Sequence, residues 1–476
     1  MTVIFECAIL LNAAAGMNCR FEVKNMQTKK KFYSRFFTLY IPLVLQNVIT
    51  LSVNLADNIM LGAYSEVSLS GVAAVNQIQF LYQMLLTSLG EGVVIFGSQY
   101  WGTRQIKPIK KISAMAMQAA LILALCLFAV VSLFPEQVVG VFTTDGPIIR
   151  AGAEYLMVIR FTYVFFAVTQ LLLAVLRSIA VVRIAFYLSV LTLFVNCGIN
   201  YVLIFGRFGA PELGAAGAAV GTLAARIVEM TVLIVYIAVK EKNLKLRFRD
   251  FLQRDSVLWK DYLRVVAPMF FSNGLWGIST GLQTVILGHM TSTAIAANSA
   301  ASTLCMMVKS TSTGSSSTAS VMIGNVISTG DMDKIRATSR QLQKTFALIG
   351  VCSGVLLFFL RIPVLGLYDL QPETMEMANH FLMILSVTTI GMGYQMPTNC
   401  GIIRAGGDTT YVVKLDLVSI WLIVLPLSFV MAFVVKASPE VVVFCLNADQ
   451  IFKCIPAYIK SNHGNWAHKL TREDTK

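Results

Sequence analysis

Residues 39–62 read "LYIPLVLQNVITLSVNLADNIMLG". The run is long enough to cross a hydrocarbon core of ~30 Å, yet it carries one acid, Asp57, about one turn from its far end. A carboxylate inside a membrane segment costs ~2.5–3.5 kcal/mol on insertion scales, so such a residue faces a cavity or a partner and is a functional candidate. The plainer alternative is a carboxylate that caps or snorkels at the interface, since Gly62 follows closely.

The whole chain shares this character. Its 476 residues are 56% hydrophobic and 13% charged, with a mean hydropathy of +0.70. A water-soluble domain of that composition would expose large apolar patches, so the sequence reads as an all-α, multi-pass membrane protein. Its formal charge of +13 comes without a nucleic-acid recognition motif, and the basic residues fall between apolar runs. The excess therefore reads as membrane topology and not as nucleic-acid binding. Cysteines such as Cys126, Cys197, Cys305, Cys352 and Cys400 lie inside apolar runs without CxxC spacing and read as small hydrophobes. His289, His380, His463 and His468 form no ligand constellation.

Apolar spans recur near 37–61, 71–97, 112–134, 153–176, 184–206, 214–239, 263–288, 297–324, 342–362, 377–403, 412–435 and 440–460, which makes twelve transmembrane helices. Helices are expected because open strands leave backbone groups unsatisfied in lipid and no barrel-type alternation is present. With the N-terminus in the cytoplasm, inside loops hold Arg104, Lys107, Lys110, Lys111, Arg177, Arg183, the basic run from Lys240 to Arg264, Lys334, Arg336 and Arg340. Outside loops hold only Arg150, Arg207, Arg361 and Lys436. This asymmetry places both termini in the cytoplasm, as for a protein of the inner membrane.

The chain also repeats itself. Pro42 and Pro268 open the first and seventh helices, Leu61-Gly62 matches Leu287-Gly288, Gly97 matches Gly324, and "AVLRSIA" at 174–180 falls on "GIIRAGG" at 401–407, aligning Arg177 with Arg404. Six helices per repeat is an even number, so the two pseudo-symmetric lobes share one orientation about an axis along the membrane normal. The expected organisation is a cytoplasmic segment 1–35, a lobe 36–240, a linker 241–262, a second lobe 263–461 and a cytoplasmic tail 462–476. The linker, with its apolar stripe and Trp259, is expected to form an amphipathic helix on the cytoplasmic face. Residues 1–25 lack a basic n-region and precede "MQTKKKFYSRF", so translation is expected to start at Met26, or 1–25 to be disordered or interfacial.

"NLADNIMLG" at 54–62, "GSQYWGTRQ" at 97–105, "NYVLIFGRFGAPELGAAGAAVGTLAARIVE" at 200–229 and "IIRAGGDTTYVVKLDLVSIWLIVLPLSF" at 402–429, in this order, resemble the multidrug and toxic compound extrusion (MATE) transporters. The resemblance covers about residues 32–470. It implies a cation site in the N-terminal half, with the acid carried onto Asp57 and the fifth-helix polar pair onto Asn196 and Asn200. Read from the residues alone, Asn196 and Asn200 lie four apart on one helix face. Counted from the outer helix ends, Asn200 and Asp57 share a depth, so the three side chains are placed to meet; the alternative is that the asparagines only bond between helices. Carboxylate and amide oxygens suit sodium, and a proton on Asp57 would remove the same charge. Other branches carry acids in the seventh or tenth helix; "APMFFSNGLWGIST" and "FLMILSVTTIGMGYQMPTNCG" have none.

Glu91, Lys309, Arg160 and Gln46 are the further cavity or substrate candidates. Lys309 near mid-membrane either meets an anionic substrate, pairs with an acid across the cleft, or snorkels in a wet cavity. Glu91 reads as a shallow interfacial carboxylate about six residues before Gly97, with Arg160 as a partner for it or for Asp57. Arg226 with Glu229 and Asp449 with Lys453 read as neutralising pairs. Gly217 and Gly221, at GxxxG spacing, read as close helix packing. No Walker A motif, nucleophile elbow or HExxH occurs, which argues against ATP drive and against an enzyme. The expected function is secondary export of organic, often cationic and amphipathic, compounds in exchange for sodium or protons, without a cofactor and as a monomer in contact with membrane lipids. The alternatives are a lipid-linked precursor flippase of the same superfold, or a polytopic sensor or channel.

Overall fold

The computed structural model describes residues 30–366 and 371–472; the expectation for residues 1–25 lies outside them. Twelve helical crossings follow in order. They are α1 (Lys30–Tyr64), α2 (Glu66–Gly102), α3 (Ile106–Leu133), the bent α4 (Gly146–Ile159 and Thr162–Ser178), α5 (Arg183–Ile204) and α6 (Gly214–Val239). The second set is α7 (Ser256–Gly288), α8 (Ser292–Ile327), α9 (Met332–Leu365), α10 (Pro372–Met396, continued by a π-helical stretch Pro397–Ile403), α11 (Thr409–Val434) and α12 (Pro439–His463). Nine of these are long and apolar enough to cross a membrane when the two arms of α4, bent by 54°, count as one. The other three, α7, α8 and α10, have the length but are more polar, as befits helices that line a cleft.

The lipid-facing surface is apolar: Ile122, Leu133, Phe194, Phe359 and Leu422 are each 64% or more exposed. Within a lobe, close packing depends on small residues, because lipid gives helices no hydrophobic reason to associate. Gly217 and Gly221 of α6 do lie against α5; a Cβ on Gly217 would sit 2.7 Å from the Leu203 carbonyl. In the second lobe Gly350 of α9 and Gly393 of α10 pack Cα to Cα in the same manner.

The two lobes, α1–α6 and α7–α12, meet on the side that carries the linker. Tyr262 donates to the Leu89 carbonyl (2.7 Å), Asn273 Nδ2 to Ser88 Oγ (2.8 Å), and Gly102 and Gly324 pack against Ser328 and Ser98. The tail straps this face: Leu470 N donates to Gln99 Oε1 (2.8 Å), Arg472 bonds Asp261 through two nitrogens (2.7 and 3.0 Å), and buried Trp466 covers Gly406. Among the described residues, every polar bond between α2 and the second lobe or its tail arises from the linker-side half of α2, between Ser88 and Tyr100. The cleft is thus closed on the linker side.

Pro42 and Pro268 lie inside α1 and α7 and do not open them; each helix begins on the linker side well before its apolar stretch. The linker forms no amphipathic helix. It runs as loop from Lys240, makes a short 3-10 turn at Phe248–Leu252, and enters α7 at Ser256, so Trp259 belongs to α7 and stacks on Tyr262. What holds the linker is α3: Lys110 pairs with Asp250 (2.8 Å), Lys111 with Asp255 (3.0 Å), and Gln118 Nε2 donates to the Phe251 carbonyl (2.9 Å).

Asp255 also caps α7, accepting from the Val257 and Leu258 amides. The Lys111 hydrogen bond first, and then these amides, hold its carboxyl below the usual range. A depressed carboxyl stabilises the folded arrangement above its unfolded value near ~4 and loses that contribution as pH falls through the folded value. Hydrogen exchange at residues 250–258, corrected for intrinsic rates, is expected to show protection at pH 7 that falls away below about pH 4. Unchanged protection down to pH 2 would remove this pair from the docking.

Candidate functional site

Asp57 on α1 and Asn200 on α5 are brought together: Asn200 Nδ2 donates to Asp57 Oδ1 at 2.7 Å. The same nitrogen lies 3.3 Å from Asn196 Oδ1, and Asn196 Nδ2 donates to Thr222 Oγ1 on α6 at 3.2 Å. Both asparagines are fully buried. Asp57 borders a cavity of about 70 Å³ lined also by Asn54, Asn76, Gln79, Tyr155, Thr222 and Arg226. Arg226 is bound to Glu229 (2.7 Å) and stacks its guanidinium over Phe166 (4.7 Å), so it tempers the field at Asp57 without forming an ion pair with it. The sequence missed Tyr155, Thr222, Asn54, Asn76 and Gln79, since neutral polar residues on separate helices carry no shared spacing.

Two buried oxygens at this site lack a hydrogen-bond partner, Gln79 Oε1 and Asn200 Oδ1. Asn200 Oδ1 faces Gly221, where an added Cβ would overlap it. A buried acceptor left unmade costs about 1–3 kcal/mol. The Asn200 N–H faces the Asp57 carboxylate, and turning the amide would present its oxygen there instead. Asp57, both amides and Thr222 then offer hard oxygen ligands of the kind sodium takes. Among the described residues no cluster of three His, Cys, Asp or Glu side chains exists for a transition metal.

Gly221→Ala tests the packing directly. The new methyl must displace Asn200 or separate α5 from α6, an overpacking that costs about 1–3 kcal/mol. The expected outcome is a lower unfolding temperature in detergent together with weakened transport. A variant indistinguishable from wild type in both would show that the pocket tolerates an atom there.

The helix α2 runs on past Gly97 to Gly102, which puts Glu91 roughly 16 Å from its end by helix rise, and the Glu91 carboxylate binds Arg404 Nη1 of α10 at 2.8 Å. This ion pair crosses from one lobe to the other. Arg160 partners neither Glu91 nor Asp57; it lies in the bend of α4 with its guanidinium over Phe128 and Phe161 (5.4 and 5.1 Å). Gln46 sits three turns from Asp57 on α1, partly buried and outside the cavity. Lys309 of α8 pairs with no acid within 4.0 Å among the described residues and rests over the Trp276 ring at 4.7 Å.

In the second lobe, Lys453 does bind Asp449 (3.0 Å), and it also binds Asp416 of α11 (2.9 Å), a third member the sequence did not reveal. The network continues through Gln450, Gln395 and Asn399, the last at the π-helical stretch of α10. There Arg404 N donates to Asn399 O (2.9 Å) in the i→i−5 register, a feature that often marks functional positions.

Comparison with known proteins agrees with this architecture. The MatE family model matches residues 42–202 and again 268–430. The chain is similar to the probable multidrug resistance protein NorM of Thermotoga maritima, 26% identical over 92% of this chain and 94% of the relative. It is similar to the probable multidrug resistance protein NorM of Bacillus cereus at 22% identity over 86% of this chain and 90% of the relative. Among solved structures, a point mutant of the Vibrio cholerae MATE transporter VcmN superposes with a TM-score of 0.84 at 16% identity, covering 93% of this chain and 99% of that one. A MATE crystal structure in complex with MaL6 gives 0.82 at 16% identity over 90% and 95%. The family points to a transporter and away from an enzyme. With one copy of the family model on each lobe, the chain belongs to the MatE family, the multidrug and toxic compound extrusion transporters.

Proposed function

We propose that the protein is an antiporter that exports organic, amphipathic small molecules in exchange for a sodium ion or a proton taken up at Asp57. The observation that carries this reading is the Asp57–Asn200 contact at 2.7 Å beside a polar cavity, on the lobe face away from the closed linker side. The density of Lys30, Lys31, Arg35, Arg104, Lys107, Lys110 and Lys111 on the linker side supports placing that side, with both termini, in the cytoplasm of a cell whose inner membrane holds the protein. The proposed functional unit is the monomer.

The cation enters from the open side and neutralises Asp57. The Asn200 amide then turns its oxygen inward, and the contacts among α1, α5 and α6 change. Coupling follows if the cation and the substrate favour different states, because a ligand with equal affinity for both shifts nothing.

The test is dye export from proteoliposomes, first under an imposed sodium gradient at equal pH and then under a pH gradient without sodium. One gradient is expected to drive export. Export driven by neither would overturn the antiport reading.

A further inference from the structure

Most buried charges are matched by an opposite charge. In the first lobe Arg226 is taken by Glu229, while Arg160 rests on the rings of Phe128 and Phe161. In the second, both oxygens of Asp449 are engaged, Oδ2 by Lys453 (3.0 Å) and Oδ1 by Gln450 Nε2 (3.0 Å), and Asp416 is held by the same lysine (2.9 Å). Among the described residues Lys309 is left without a carboxylate. It lies midway along α8, partly exposed, and interacts through space with Asp449 and the thiols of Cys305 and Cys400. Its ammonium rests on the face of Trp276 on α7 at 4.7 Å. Trp276 in turn meets Phe80 of α2 at 6.0 Å, so ammonium and indole stand where the second lobe faces the first.

A cation held at mid-membrane depth without a counter-ion is expensive unless it faces a wet or ligand-filled space. A bare ammonium also keeps three N–H donors to offer. An aromatic wall beside a donor cation accommodates an acid borne on a flat ring: the acid takes the ammonium's hydrogen bonds, and the ring packs on the indole. We propose that Lys309 and Trp276 form the substrate subsite of the second lobe and that it takes aromatic anions, carboxylates or sulfonates. This deepens the export reading by naming the substrate's charge, and it departs from the cationic compounds expected from the resemblance. The two lobes then bind opposite charges, a cation at Asp57 and an acid at Lys309, each neutralising a group that protein contacts leave unmatched.

The test is equilibrium binding to the full chain in detergent, with no gradient, so that it stands apart from whether export is ion-driven. Naphthalenesulfonate and naphthyltrimethylammonium share one ring system and differ in charge. Wild-type protein is expected to bind the sulfonate at least about tenfold more tightly than the ammonium compound, as one charge-assisted contact would produce. Lys309→Met is expected to lose that preference, and Lys309→Arg to keep it. A third arm adds a short-chain phosphatidate as competitor; it should displace the sulfonate poorly, since the subsite is a single ammonium against a ring. Equal affinity of the wild type for the two naphthalenes overturns the proposal without reference to any variant's folding. So does a preference that survives in a monodisperse Lys309→Met protein, and so does efficient displacement by the phosphatidate.

Discussion

Asp57→Asn is expected to stop ion-driven export and leave the folded protein in the membrane. Asparagine has the carboxylate's shape, and its side-chain oxygen can still accept from Asn200 Nδ2, the bond that now spans 2.7 Å. The fold therefore keeps its α1 to α5 contact. What the variant lacks is a charge to neutralise: it cannot take up a proton, and without its anion the oxygens of Asn196, Asn200 and Thr222 hold a sodium ion poorly. Since only a difference in affinity between states shifts an equilibrium, export in proteoliposomes should fall to the level of liposomes without protein. Binding of substrate at equilibrium should persist, because Lys309 and Trp276 belong to the other lobe. Wild-type export by the Asn variant under the driving gradient would take Asp57 out of the mechanism.

The parts of this site that are readable in the sequence are those fixed by local geometry. Helix rise converts the position of Asp57 before Gly62 and of Asn200 before Gly206 into a common depth, and the i,i+4 spacing puts Asn196 on the same face. The two-lobe architecture is readable for a similar reason, since a repeat offset is a property of the string. Contacts far apart in sequence leave no such trace. Glu91 and Arg404 lie on different lobes, and their pairing depends on how the lobes dock. The repeat aligns Arg404 with Arg177, but an alignment gives no partner. Gly97 reads as a helix end, yet α2 continues through it to Gly102, and the missing side chain lets Ser178 pack closely. Asp416 is hidden as a partner of Lys453 because the two lie 37 residues apart on different helices, α11 and α12, with no spacing that would pair them. The linker misleads for another reason. Its apolar stripe is buried against α3, and three polar anchors there replace the lipid surface that an amphipathic helix would need.

Removing Arg404 should have the second large effect, this time on which side of the membrane the cleft opens. The Glu91–Arg404 bridge is an inter-lobe ion pair on the closed side, with Arg404 almost fully buried and Glu91 one-third exposed. Each partner has a second charge near it within its own lobe. Arg177 acts on Glu91, and Asp416 acts on Arg404. When the lobes part, the fields of Arg177 on Glu91 and of Asp416 on Arg404 offset part of the lost attraction, so the bridge can break during a cycle. Arg404→Ala takes away the closing contact and leaves Glu91 in the field of Arg177. Breaking a buried pair from one side costs about 3–5 kcal/mol; the exposure of Glu91 lowers this, and a loss of about 1–3 kcal/mol shifts the balance of states by roughly tenfold or more. Spin labels at Lys107 on the first lobe and Arg336 on the second, both on the linker side, should report a new population at longer distance, with export slowed. Exchanging the charges, Glu91→Arg with Arg404→Glu, should restore the short distance only in part, because Arg177 and Asp416 then repel their new neighbours. An Arg404→Ala protein with the wild-type distance distribution and export rate would show that the linker-side face is held shut by packing and the tail strap alone.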